Sequence, residues 1–375
     1  MASRTDIAVP FVDLPASFAD IRDDVLADIA ALLESCRFTN GPAVQEFEEA
    51  FARYVGAPHC VGLASGLDAL RLALQAADVG EGDEVIVPAM TFVATWEAVS
   101  QIGATPVPVD VSDADCCLTA AAAEAAVTER TRAVIPVHLY GRMADPRGFA
   151  ELRARLRNVL VLEDACQAHG ARRGGLDAGT VGTAAAFSFY PGKNLGAAGD
   201  AGALVTSDPE LAETVLALRE HGQTAKYEHD LIGWTARLDT IQAALLLRKL
   251  PHLDTWNAER RAAAERYLQA LAGVGDLVLP LVADRDASAW HVFVVRTAEP
   301  VALAAHLAGH GIATGRHYPE PPHVSRAYAA LGYGPGDFPV AERIARECIS
   351  LPMFPGITDE QLERVATAIR SWFAS

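Results

Sequence analysis

Two periods organise the apolar and polar positions of this chain. Ile21, Val25, Ile29 and Leu32 share one helical face across residues 21–33, and the same spacing returns over 44–54 after the breaker Asn40-Gly41-Pro42. From residue 60 onward short continuous apolar runs take over, at 60–63, 84–87, 105–109, 133–137, 159–162, 184–189 and 203–205. Helical stretches such as 69–76 and the alanine-rich 119–127 lie between them. Unbroken apolar runs are what strands covered on both faces look like, so the alternation predicts a largely parallel, doubly wound sheet. The pattern is helical again over 238–271, with an interruption at Pro251. It then mixes a strand over 292–296 with helices near 301–310 and 360–373, which predicts a smaller second domain. No repeat with a period of roughly 20–50 residues is visible.

The length of 375 residues allows one large α/β domain plus a smaller one, with a core that needs no disulfide or metal staple. The six cysteines, at positions 36, 60, 116, 117, 166 and 348, form no CxxC pair, which suits reduced thiols in a cytoplasmic setting. Residues 1–9 contain Arg4 and Asp6 and no apolar leader core, and no segment reaches the roughly 18 apolar residues of a membrane span. A soluble, cytosolic protein is expected. The net charge of −17 disfavours nucleic acid and anionic lipid as partners, so an anionic small substrate needs a locally positive pocket.

The candidate chemistry gathers where strand-like runs end. Lys193 follows Pro191-Gly192 at the end of the run 184–189, so a rigid turn aims its amine. Most lysines are solvated, but one held partly out of water with a lowered pKa condenses with an aldehyde to a Schiff base. A phosphate-loop reading fails, because GxxxxGK followed by Ser or Thr needs Gly where Phe187 stands and a hydroxyl where Asn194 stands. The run 159–162 delivers Glu163-Asp164 to a carboxyl end of the sheet, the edge where open α/β sheets bind ligands. Ser65-Gly66-Leu67 opens the helix 69–76, an anion site by its free N–H groups and dipole, or simply a helix cap at Ser65. Phe92 follows the run 84–87 onto the same rim. His306 and His310 are four apart with no HExxH order, so zinc is not expected.

EDACQAHG (163–170) followed by SFYPGKNLG (188–196) resembles the DegT/DnrJ/EryC1/StrS sugar aminotransferases, which use pyridoxal phosphate (PLP). The likeness runs from about Val9 to the C-terminus. It implies an α/β fold of the aspartate-aminotransferase type (fold type I), with a large, mostly parallel-sheet domain and a small α+β domain. Residues 1–40 are then expected to pack with the small domain, 41–250 to form the PLP-binding domain and 251–375 the small C-terminal one.

By this resemblance Lys193 holds PLP and Asp164 keeps the ring nitrogen protonated, which makes the ring an electron sink. Phe92 stacks on the ring, Gln167 lies near its phenolic oxygen, and Gly66, Leu67 and Ser188 take the phosphate. L-Glutamate is the expected amino donor and a nucleotide-linked keto sugar the acceptor, with ping-pong kinetics. Tyr190, Lys226, Tyr227 and Arg237 are candidates for the pyrophosphate, since phenol, amine and guanidinium groups suit phosphate oxygens. Solvated loop positions for Lys226 and Tyr227, and a surface ion pair for Arg237, are the plainer readings. His317 and Tyr318 in RHYP (316–319) match a segment facing the sugar. The family's G-x-N-x-R pattern carries an Asn that reaches the cofactor phosphate across a homodimer interface; here that position is Thr235, with a shorter reach.

Lys193 argues against a sugar dehydratase of the same family, where His stands at that position, and the set Asp164, Gln167, Ser188 and Lys193 argues against a non-catalytic member. A nicotinamide enzyme would need a GxGxxG after its first strand, which Gly66-Leu67-Asp68 does not supply. HLYG (138–141), AHGA (168–171) and HYPEPPH (317–323) are similar to members acting on dTDP-linked 3-keto-6-deoxyhexoses; a 4-keto sugar or a keto-cyclitol stays open.

Overall fold

The computed structural model describes residues 8–281 and 287–374. Residues 1–7, which carry most of the segment read above as lacking a leader core, lie outside the described residues. Seven strands form the central sheet: β1 (His59–Leu63), β2 (Glu84–Pro88), β3 (Thr105–Val109), β4 (Thr131–Val134), β5 (Leu160–Asp164), β6 (Ala184–Ser188) and β7 (Gly202–Thr206). Their spatial order is β1-β7-β6-β5-β4-β2-β3. Every apolar run singled out in the sequence is one of these strands. The central ones are buried along their whole length, which is why they read as continuous rather than alternating.

One strand departs from the parallel expectation. β7 pairs antiparallel with both β6 and β1, while the remaining pairings are parallel. The physical reason is the connection: residues 189–201 contain no helix, and without a crossover the chain returns beside β6 in the opposite direction. Six strands therefore still point their carboxyl ends to one edge. Leu63, Pro88, Asp164 and Ser188 all end there, and the first residue of β7, Gly202, pairs with both Leu63 and Ser188.

A second core lies beyond helices Thr240–Lys249 and Leu253–Leu271, which are separated by a short turn around Pro251 as the sequence predicts. Strand β8 (Phe293–Arg296) pairs antiparallel with β9 (Cys348–Leu351), and Tyr267, Leu303, Leu307, Val365 and Ile369 pack on them. The N-terminal segment divides between the two parts. Val9 bridges Ile312 and is buried in the second core, whereas helix Arg22–Ser35 sets Val25 against Leu245 of helix Thr240–Lys249. All six cysteines are unpaired, and no helix among the described residues is long and apolar enough to cross a membrane.

Candidate active site

Asp164, the last residue of β5, is only 7% exposed. Its Oδ2 accepts a hydrogen bond from Thr95 Oγ1 at 2.8 Å, and Thr95 in turn shares a 2.7 Å bond with Thr91. Its Oδ1 accepts from the Cys166 N–H at 3.2 Å. A buried carboxylate held on both oxygens cannot swing, so its remaining lone pairs are aimed.

Lys193 sits in the turn between β6 and β7. Its N–H donates to the Tyr190 carbonyl at 2.8 Å, and the Ala197 N–H closes the loop onto the Phe189 carbonyl at 2.7 Å. The side chain is half-buried. Burial pulls the ammonium below the ordinary lysine value, against the opposing pull of Cys166 and Asp164, so the neutral amine is brought closer to working pH.

Between these groups lies a bonded array of polar side chains. Gln167 Oε1 accepts the Tyr140 N–H at 2.7 Å, which turns Nε2 toward Tyr318 Oη at 3.1 Å and leaves one amide proton for a ligand. Tyr318 accepts from Gln167, and burial pushes its phenol above the ordinary range, so it stays a donor. The Phe92 ring lies 5.3 Å from that of Tyr318 and is 49% exposed, unusual for a Phe and suited to covering a flat ligand. His317 stacks on Phe11, shares a 2.7 Å bond with Ser350 through Nδ1, and accepts the Tyr140 hydroxyl at its carbonyl. Burial first, then the Lys193 charge, lowers its pKa to about 4, so this imidazole is neutral.

Across from Asp164 is an anion cradle. Ser65 caps helix Gly66–Ala76, its Oγ accepting the Asp68 N–H at 3.0 Å. Gly66 is required here: a Cβ would meet Cys166 Sγ at 2.6 Å and Ser188 Cβ at 2.8 Å. The helix N-terminus thus faces the Ser188 side chain at the end of β6, with the helix dipole favouring negative charge. An aimed carboxylate, a lysine brought toward neutrality, an open aromatic face and a helix N-terminus that favours an anion together fit PLP.

Comparison with known proteins decides the matter. The model of the DegT/DnrJ/EryC1/StrS aminotransferase family matches residues 19–370. The chain belongs to the DegT/DnrJ/EryC1/StrS aminotransferases. It is 48% identical to a dTDP-3-amino-3,4,6-trideoxy-alpha-D-glucose transaminase of Streptomyces venezuelae, over 99% of this chain and 98% of that one. A UDP-N-acetyl-3-dehydro-alpha-D-glucosamine 3-aminotransferase of Acidithiobacillus ferrooxidans is 45% identical over 97% of each. Among solved structures, that of S. venezuelae DesV superposes with a TM-score of 0.95, 48% identity and coverage of 98% of this chain and 99% of that one. The enzyme is a PLP-dependent sugar aminotransferase of the aspartate-aminotransferase type.

Within this aminotransferase the structure brings Asp164, Gln167, Lys193, Ser188, Gly66, Leu67, Phe92, His317 and Tyr318 to one edge of the sheet. Tyr190, three residues before the lysine, is 58% exposed beside it. Of the other candidates, Arg237 adjoins the same edge, bridging Leu63 at the end of β1. Lys226 and Tyr227 form the tip of a hairpin (Gln223–Ala225 and Glu228–His229), the ammonium 5.3 Å from the ring and Tyr227 80% exposed. Exposed Thr235 bonds His221 Nε2 at 3.2 Å. Arg237 forms an ion pair with Glu220 at 2.7 Å. Neither shares a hydrogen bond with the Lys193 group among the described residues.

Sequence reasoning missed Thr95 and Tyr140, which orient Asp164 and Gln167. Thr95 had a signal: it is three residues past Phe92, on the helix that begins at Ala94. Tyr140 lies in the HLYG run, read only as a substrate marker.

Proposed function

We propose that the protein moves an amino group from L-glutamate to C3 of a nucleotide-linked 3-keto-6-deoxyhexose, with dTDP as the carrier. The observation that carries the amino-transfer half is the Lys193 amine, held by a turn beside Asp164 in a site that lowers its pKa. In support of C3, the names of the two relatives above place the amino group on that carbon, although their nucleotides differ. The neutral His317 and the Tyr318 phenol suit a sugar rather than a second charge.

Bound PLP supplies an aldehyde carbon that bonds the amine and a conjugated ring that accepts the electron pair left when a proton departs. This chain's residues do the rest. Lys193 would hold the cofactor and, once released, carry a proton to and from the adjacent carbon, helped by the burial that lowers its pKa from the ordinary lysine value. Asp164, fixed by Thr95 and the Cys166 N–H, would keep a proton on the ring nitrogen. Phe92 would cover one ring face, Gln167 donate to the phenolic oxygen, and Ser188 with the Gly66 and Leu67 N–H groups hold the phosphate. Tyr190, Lys226, Tyr227 and Arg237 would meet the nucleotide's pyrophosphate, and Thr235 would reach toward the cofactor phosphate of the other subunit of a homodimer. Because one site handles donor and acceptor in turn, the kinetics are ping-pong.

The test is to give the PLP-loaded enzyme and L-glutamate, in separate reactions, a dTDP-3-keto-6-deoxyhexose, its dTDP-4-keto isomer and a UDP-linked 3-keto sugar, and to follow each by mass spectrometry. Conversion of the first at a kcat/KM at least about tenfold above the others, a difference of about 1.4 kcal/mol in the transition state, is expected. Preference for the 4-keto isomer contradicts the carbon assignment, and preference for the UDP sugar contradicts the carrier.

A further inference from the structure

The residue after the lysine has a buried side chain that the chemistry above does not use. Asn194 is 4% exposed, and its carboxamide is bonded on every side. Its Nδ2 donates to Asn257 Oδ1 at 2.8 Å and to the Ala289 carbonyl at 2.7 Å, and its Oδ1 lies 3.3 Å from His291 Nδ1. Asn257 is 1% exposed and passes the link on, donating from Nδ2 to the His169 carbonyl at 2.8 Å. His169 belongs to the segment that follows Asp164 and carries Gln167. One amide pair therefore ties the turn bearing Lys193 to the loop bearing its two partners across the site.

The same helix face reaches a third segment. Arg260, one turn along helix Leu253–Leu271 from Asn257 and 5% exposed, donates to the carbonyls of Trp290, His291 and Met353 at 3.2, 3.3 and 3.0 Å. Residues 289–291 run between the two cores, since Ala289 packs in one and Trp290 in the other. Buried amides this fully bonded are costly to disturb and specify one arrangement, because any shift leaves a donor or acceptor unsatisfied in a place water does not reach.

We infer that Asn194 and Asn257 are positioning residues of the transamination centre: their carboxamide pair locks the Lys193 turn to the Asp164–His169 segment and so sets how far the lysine amine is held from water. Neither residue touches the reacting atoms. Loss of either amide frees the turn, lets water reach the amine and returns Lys193 toward ordinary lysine behaviour. This rests on the aminotransferase reading of Lys193 but not on the identity of the sugar.

The test reads the Lys193 amine in the cofactor-free protein, by competitive amine labelling across a pH series with mass spectrometry of the 193 peptide. Wild type should label with a midpoint below that of an exposed lysine. Asn194→Ala and Asn257→Ala should each raise that midpoint by about one unit or more, the scale on which partial rehydration moves a buried amine. The double variant should match either single one, because both remove the same link. Labelling of Lys226, at the exposed tip of the hairpin 223–229, should be the same in all of them. Should Asn194→Ala not fold, Asn257→Ser, which leaves the bond from Asn194 to Ala289 in place, carries the same comparison. Unchanged Lys193 midpoints, or shifts that simply add in the double variant, overturn the inference, and a lowered melting temperature alone does not support it. A wild type that forms no visible band with PLP overturns the reading of Lys193 and leaves the labelling comparison intact.

Discussion

Lys193 and Asp164 act as a pair of opposite, differently prepared groups: one pulled toward neutrality by burial, the other fixed by two hydrogen bonds. Replacing Asp164 by Asn removes one partner of a buried charge pair, which costs about 2–5 kcal/mol, so kcat should fall by roughly 30-fold to several thousandfold while PLP still binds. A fully active Asp164→Asn would contradict its role. A second residue effect concerns His169, buried with its ring tilted against those of Phe187 and Phe189. Burial, then the Lys193 charge, pushes its pKa from 6.5 to about 3. The folded-state value is depressed, so the unfolded chain binds this proton first. Its contribution to stability is present above about pH 6.5 and is lost as pH falls toward 3. His317, at about 4, acts in the same direction. His169→Phe should therefore flatten the fall in melting temperature between pH 7 and pH 4.5, as calorimetry can show; a slope equal to wild type would contradict this. These residues differ in how legible they were. Asp164, Ser188 and Lys193 lie at or just past strand ends, which the pattern marks, whereas Tyr140 and Asn257 act on partners 27 and 63 positions away and leave no local trace.

Elements bring those residues within reach, and two close approaches decide the arrangement. A Cβ on Gly202 would meet the Ser65 carbonyl carbon at 2.3 Å and the Gly66 nitrogen at 2.6 Å, so β7 can pass the helix N-terminus only without a side chain. Gly202→Ala should cost about 1–3 kcal/mol and weaken PLP binding together, by calorimetry and by titration of the visible band. Undiminished affinity would show that the cradle is not where the cofactor phosphate sits. Helix Thr240–Lys249 ends on a buried lysine whose Nζ donates to the Gly196 carbonyl at 2.9 Å and lies 3.9 Å from the centre of the Phe18 ring. Burial lowers Lys249 to about 8. Between about pH 8 and 10.5 the unfolded chain holds the extra proton, so this group's contribution rises with pH there, and below pH 8 the full cost of burying the charge applies. The stability of wild type relative to Lys249→Met should consequently grow from pH 8 to pH 10; a constant difference would contradict it. Strand positions were readable from the apolar runs. The reversed direction of β7 was not, since direction depends on the missing crossover rather than on the strand's own residues, and β9 is too short, with a buried Ser350 in its middle, to stand out.

For the molecule as a whole, the segment leading to Thr235 carries an exposed apolar surface. Ile232 is 90% exposed and Tyr227 80%, beside half-exposed Leu231, an apolar surface that a lone chain leaves in water. A homodimer is therefore expected, with a sedimentation mass of twice 39.7 kDa at micromolar concentration and disruption by Ile232→Asp; a monomer with full activity would contradict it. The change in the pattern of runs near residue 250 marks where the chain enters the second core, at Ala263, although Ala289, Val292 and Ile344 still pack in the first. The sharing of the N-terminal segment between both parts was not readable, because it depends on where Val9 and Val25 find partners. The identity of the sugar lay beyond the pattern altogether, since a fold does not choose its substrate. Everything above rests on Lys193 as the amine that holds PLP and passes nitrogen on, and the visible spectrum of the PLP-loaded protein titrated with L-glutamate tests that most directly. The account predicts a yellow band in wild type that L-glutamate bleaches, and no such band in Lys193→Ala. A band indifferent to L-glutamate, or a Lys193→Ala protein that still transfers nitrogen, would contradict it.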